Sequence, residues 1–140
     1  MRLVYSYYVL DIIHQGHILM MKNAKEIAGD DGKLIVGILT DEAVMEKKPK
    51  PILSFDERMK IAQAIKYVDL VVPQETYSPI PNVKKIRPDI LMESANHTDE
   101  DLEETKNIMK EIGVKVIVMP YYPCQSSTNI KKNIKKGSKK

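Results

Sequence analysis

Asp11-Ile12-Ile13-His14-Gln15-Gly16-His17 follows directly on the apolar run 3–10, and in it two histidines three residues apart straddle a glycine. Residues at that spacing share one helix face. A helix beginning near Gly16 points both imidazoles and several free backbone N–H groups at the C-terminal end of the preceding strand, where an anion is held. The stretch therefore reads as strand, turn and helix N-terminus arranged to handle phosphate.

Outward from that stretch, strand-like and helix-like segments alternate. Residues 16–28 are helical, 33–39 apolar, 54–66 helical and 70–73 extended. Residues 89–92 after Pro88 are extended, 99–112 are helical and end at Gly113, 114–119 are extended before Pro120, and a last helix starts at about Ser126. Five strands and about five helices on a βαβ beat imply an α/β fold, with a parallel sheet covered on both faces. Right-handed crossovers make it a Rossmann-like, doubly wound five-stranded sandwich whose ligand crevice lies beyond the C-terminal strand ends. The histidine motif, Thr40-Asp41 and the loop 121–128 fall at that edge. No internal repeat is visible.

The 140 residues, 43% of them hydrophobic, suit one domain over 1–130 with a Lys-rich tail over 131–140. The longest apolar runs are far shorter than the roughly 18 to 20 residues that span a bilayer, so a cytoplasmic protein with no membrane partner is expected. Cys124 is the single cysteine, which excludes an intrachain disulfide and a tetrathiolate zinc site. The net charge of +3 comes from Lys131, Lys132, Lys135, Lys136, Lys139 and Lys140. Their crowding reads as a solvated helix end rather than a nucleic-acid surface.

Three uses of the histidine pair are open from the residues alone. His14 and His17 can donate to a phosphoryl group, with Gly16 letting the backbone approach. They can be zinc ligands, which needs a third ligand, and His97 has no fixed sequence relation to them. They can simply cap a helix. Elsewhere, Ser54 with Glu57 forms a helix-start pattern ahead of Arg58. Lys47, Lys48 and Lys50 lie in a proline-rich loop, and Ser126, Ser127 and Thr128 open the last helix as a second anion site.

Five motifs stand in order: the histidine stretch, Ile38-Leu39-Thr40-Asp41-Glu42, Ser54-Phe55-Asp56-Glu57-Arg58, Lys66-Tyr67-Val68-Asp69 and Ser126-Ser127-Thr128-Asn129-Ile130. Together they resemble the His-x-Gly-His nucleotidyltransferase superfamily, and within it the cytidylyltransferase-like family. The resemblance implies transfer of a nucleoside monophosphate from a triphosphate to a small phosphorylated acceptor, with release of pyrophosphate, and a homodimer. Magnesium would travel with the nucleotide rather than occupy a metal site of the protein's own.

By the same resemblance, His14, His17, Lys47 and Arg58 are the catalytic candidates. Tyr8-Val9-Leu10 stands where family members carry Gly-Thr/Ser-Phe, and a tyrosine there narrows the triphosphate pocket. Asp11 occupies the family's aspartate position, where a carboxylate orients an imidazole or helps place magnesium. Ser127 and Thr128 would contact the β- and γ-phosphates, beside Ser126, and Tyr121 would edge the base pocket. Glu93, in Met92-Glu93-Ser94-Ala95-Asn96, replaces an acidic Gly-Asp-Asp-like segment on the nucleotide side. Asp41, Arg58 and His97 are the acceptor-binding candidates.

Subfamily signals diverge. Residues 73–76 and 81–89 are similar to modules found beside phosphonate-forming enzymes. Lys66-Tyr67-Val68-Asp69 is similar to glycerol-3-phosphate cytidylyltransferases, and Ser127-Thr128-Asn129-Ile130 to the adenylyltransferase that activates heptose phosphate for lipopolysaccharide core. CTP is slightly favoured over ATP, for lipid, glycan or envelope synthesis. The alternatives are an adenylyltransferase acting on heptose phosphate or flavin mononucleotide (FMN), and a nucleotide-binding module that has lost catalysis.

Overall fold

Leu3-Val4-Tyr5-Ser6-Tyr7-Tyr8 alternates between two covered faces, as a central parallel strand requires: Val4 and Tyr8 bury on one side and Tyr5 on the other. The computed structural model describes residues 1–94 and 99–119. The strand is β1 (Leu3–Tyr8), followed by α1 (Gln15–Ala28), β2 (Lys33–Leu39), α2 (Asp41–Met45) and α3 (Phe55–Gln63). Then come β3 (Leu70–Gln74), α4 (Ile80–Ile86), β4 (Ile90–Ser94), α5 (Asp99–Ile112) and β5 (Lys115–Met119).

The sheet order is β3-β2-β1-β4-β5 and every pairing is parallel. Its register runs from Leu3 opposite Lys33 to Tyr8 opposite Ile38, with Val4 opposite Ile90 on the other side of β1. The chain builds outward from β1 to β3, then returns through α4 to the far side of β1. The strand order thus reverses at β1 and β4, the place where doubly wound sheets open a ligand crevice.

Two cores follow from this winding. Val4, Tyr8, Val36 and Ile38 pack with Met21 and Ala24 of α1 and Ala62 of α3. Tyr5, Ile35 and Leu91 pack on the opposite face with Val83 of α4 and Met109 of α5. Burying Met21 alone, with 0% exposure, contributes on the order of 2 kcal/mol. A third cluster of Leu39, Ala43 and Val44, joined by Tyr7, Val9 and Tyr77, seats α2 at the C-terminal edge of the sheet.

The expected segments fold with shifted ends. Ser54 caps α3 as its pattern with Glu57 predicts, accepting from Glu57 N at 3.2 Å, but the helix stops at Gln63 instead of residue 66. Gly113, at φ 79°, ends α5 as the sequence predicts. The short helices α2 and α4 are additions. Thr40 caps α2, and α4 begins at a proline-rich turn that reads as loop because proline is tolerated only in a first helical turn. No described helix is long and apolar enough to cross a membrane. The last expected helix and the Lys-rich tail lie outside the described residues.

Candidate active site

The turn from β1 into α1 places the histidines at the switch point. His14 is the N-cap of α1, with extended backbone, and its Nδ1 accepts from Gly16 N at 3.0 Å. His17, three residues on, returns the bond: its Nδ1 accepts from His14 N at 3.2 Å. The pair forms a capping box in which imidazoles replace the usual hydroxyl and carboxyl groups. Because each Nδ1 is an acceptor, each neutral ring carries its proton on Nε2, at the far side of the ring. The ring centroids are 4.0 Å apart.

Burial lowers both imidazoles. His17 falls to about 4, through desolvation first and His14 second, and His14 falls through desolvation. At neutral pH both are uncharged Nε2–H donors, whereas the expected free amides are taken up within the cap, Gly16 N by His14 Nδ1 and His17 N by His14 O. Gly16 is buried in that turn. Tyr8 packs its ring edge-on to His17, with centroids 6.0 Å apart, and its hydroxyl accepts from Ser6 Oγ. The expectation that Tyr8 narrows the pocket is therefore corrected. Strand alternation turns the ring into the core under α1, where it is 9% exposed. Leu10, also buried, holds φ 61°, a left-handed conformation that costs about 1 kcal/mol or more and fixes the turn.

Asp11 and Arg58 tie this turn to its surroundings. The Asp11 carboxylate, 1% exposed, accepts from Ile52 N at 3.0 Å and Leu53 N at 2.8 Å. It anchors the loop between α2 and α3 that carries the lysines. Arg58 on α3 has 0% exposure. Its Nη1 donates to Val9 O at 2.8 Å and Leu39 O at 2.7 Å, its Nε to Leu53 O at 3.3 Å, and its Nη2 to Asp41 Oδ1 at 2.8 Å. The guanidinium thus joins the ends of β1 and β2, the loop and α2 from below. Arg58 and Asp41 were expected at the acceptor; the structure pairs them with each other.

Lys47 and Glu93 meet elsewhere, at a cleft of about 200 Å³ on the Tyr5 and Tyr7 side of the sheet edge. Its lining includes Tyr7, Glu46, Lys47, Tyr77, Glu93 and Thr105. Lys47 Nζ stands 5.0 Å from the centroid of the Tyr77 ring, a cation–π contact. Tyr7 Oη donates to both Glu93 oxygens, at 2.7 and 3.0 Å. Glu93 is 2% exposed, and burial pushes its carboxyl up to about 7. Tyr7 and Tyr77 were not anticipated. Their signal is positional, since both precede or follow the C-terminal ends of parallel strands, where site residues gather. His97, Tyr121, Ser126, Ser127 and Thr128 lie outside the described residues.

The chain is similar to proteins of known name over most of its length. It is 38% identical to the FAD synthase of Korarchaeum cryptofilum over 126 residues, 89% of this chain and 85% of that one. It is 33% identical to the bifunctional protein HldE of Cronobacter sakazakii over 132 residues, 93% of this chain but 27% of that longer one. Among solved structures, the lipopolysaccharide core biosynthesis protein from Thermoplasma volcanium superposes with a TM-score of 0.73 at 25% identity, covering 87% of this chain and 97% of that one. A likeness that runs nearly end to end concerns the whole domain, and with the cytidylyltransferase-like family model matching residues 9–133 the chain belongs to that family of nucleotidyltransferases.

Proposed function

We propose that the protein transfers adenylate from ATP to the phosphate of FMN, forming FAD and releasing pyrophosphate. The observation that carries the transfer chemistry is the reciprocal His14–His17 cap at the switch point, which sets two neutral imidazoles, each with its proton on Nε2, just past the C-terminal end of β1. An acceptor phosphate oxygen attacks the α-phosphorus, a new P–O bond forms, and the bond to the β-phosphate bridging oxygen breaks. No covalent protein intermediate is needed, and stabilising charge on the reacting oxygens is the protein's main task. The two imidazoles supply it through Nε2–H. Lys47 at the cleft, with Tyr77 and Tyr7, would receive the acceptor.

The choice of ATP and FMN over CTP rests on the FAD synthases, which this chain matches along most of both lengths. Heptose phosphate is the second reading, supported by the match to HldE and by the lipopolysaccharide core biosynthesis structure. Magnesium is expected with the triphosphate. Asp11, its candidate ligand in the chain, turns its oxygens to the amides of Ile52 and Leu53 and does not fit a metal ligand.

The test is pyrophosphate release by the purified protein with ATP or CTP, against FMN and heptose phosphate. FAD formation from ATP and FMN is the expected result. Turnover of heptose phosphate alone selects the second reading, and turnover with CTP but not ATP overturns both.

A further inference from the structure

The wall of the cleft that carries Tyr77 is held from inside the sheet by a hydrogen-bond chain that the transfer chemistry does not use. Gln74, the last residue of β3, is 1% exposed. Its side-chain amide donates to Thr76 O at 3.1 Å and to Tyr77 O at 3.2 Å, and its Oε1 accepts from Tyr5 Oη. Asn82 of α4 donates from Nδ2 to Tyr5 Oη at 3.0 Å and to Pro73 O at 2.9 Å. Tyr5 is on β1 and Gln74 on β3, with β2 between them. The hydroxyl reaches across because Gly37 of β2 leaves a gap, where an added Cβ would lie 2.0 Å from Tyr5 Oη.

Burying a phenol, a primary amide and an asparagine here is costly unless every group is paired. Among the described residues no buried side-chain polar atom lacks a partner. Burial pushes the Tyr5 hydroxyl up to about 12, Asn82 lowering it in part, so it remains a donor at working pH. A phenylalanine at position 5 would fill the same core space. What the polar version adds is directional: it fixes the two carbonyls that set the path of the chain through Thr76 and Tyr77, and so the ring that faces Lys47.

We propose that Tyr5, Gln74 and Asn82 are positioning residues for acceptor binding, fixing the Thr76-Tyr77 wall of the cleft and so setting affinity for the body of the phosphomonoester without touching it. The proposal rests on the adenylyltransferase reading above and assigns the acceptor side of the site, not the nucleotide side. Gly37 belongs to the same device as the space through which it works.

The experiment compares wild type with Tyr5→Phe, and with Asn82→Asp at the half-buried end of the chain should Tyr5→Phe fail to fold. Two readouts are taken: steady-state kinetics with FMN and ATP varied separately, and amide hydrogen exchange over residues 75–78. Loss of the bond should raise the KM for FMN about tenfold, with kcat and the KM for ATP within about twofold. Exchange over 75–78 should accelerate by a similar factor, whatever the acceptor is. Unchanged exchange overturns the anchoring. Faster exchange with an unchanged KM for FMN, or an equal rise in the KM for ATP, overturns the link to the acceptor. A wild type that converts neither FMN nor heptose phosphate overturns the activity reading, and the acceptor role with it, while the exchange arm still separates an anchored loop from a free one.

Discussion

His14 and His17 hold each other, and that reciprocity decides what they can donate. Each Nδ1 takes a backbone N–H, so each neutral ring presents Nε2–H. His14→Ala or His17→Ala should lower kcat by about two orders of magnitude, as removal of a transition-state donor does. Loss of the cap costs about 1 kcal/mol, visible as a small drop in thermal midpoint. Measured together, a falling midpoint with intact turnover would leave the pair as a cap alone. The same burial gives a pH signature. Between pH 6.5 and about 4 the unfolded chain binds a proton at position 17 that the native imidazole refuses. Stability therefore falls as pH drops through that window, by about 3 kcal/mol at its foot. Urea midpoints should show His17→Gln losing less stability than wild type from pH 7 to pH 4.

At the scale of elements, the end of β4 carries the opposite pH slope. Glu93 titrates near 7 in the native protein, against 4.5 for an ordinary glutamate, so between those values the folded state keeps a proton the unfolded chain has released. Stability then falls as pH rises through that window, by about 3 kcal/mol above pH 7. Glu93→Gln, which keeps an acceptor for Tyr7, should match wild type near pH 4.5 and exceed it at pH 8; equal urea midpoints at both would place the carboxyl in contact with water. What the sequence disclosed of these elements follows their length and period. The β1-α1-β2 unit, α5 and its Gly113 stop were legible because long apolar periods and a glycine C-cap are local signals. The short α2 and α4 were not, since their helicity depends on seating rather than on propensity, α2 against Leu39 and α4, through Val83, in the cluster of Tyr5, Ile35 and Leu91. For the site, the histidine cap was legible in its spacing. The bonds from Asp11 to Ile52 and Leu53 and from Arg58 to Val9 were not, because they join residues 41 to 49 apart in the chain that meet only once the sheet is wound.

At the scale of the molecule, Arg58 is where the winding is locked. One buried guanidinium bonds Val9 at the end of β1, Leu39 at the end of β2, Leu53 in the lysine loop and Asp41 in α2. Its bonds add to the β1–β2 ladder and to the hold of Asp11 on the Leu53 amide, and the histidine turn follows the first of these segments. Arg58→Met keeps much of the apolar stem but leaves three carbonyls and a carboxylate without their donor. Each orphaned acceptor costs on the order of 1 kcal/mol, and the half-open Asp41 recovers water, so a loss of roughly 3 kcal/mol is expected. Against a total stability of about 5 to 15 kcal/mol that is a large share. Urea unfolding at pH 7 should show a clearly lower midpoint with little change in slope. Turnover of the variant, measured well below that midpoint, separates the two roles of the side chain. An arginine that acts by locking the fold loses activity in step with stability, whereas an unchanged midpoint with a hundredfold fall in kcat would mean that the guanidinium leaves these carbonyls to meet the phosphates.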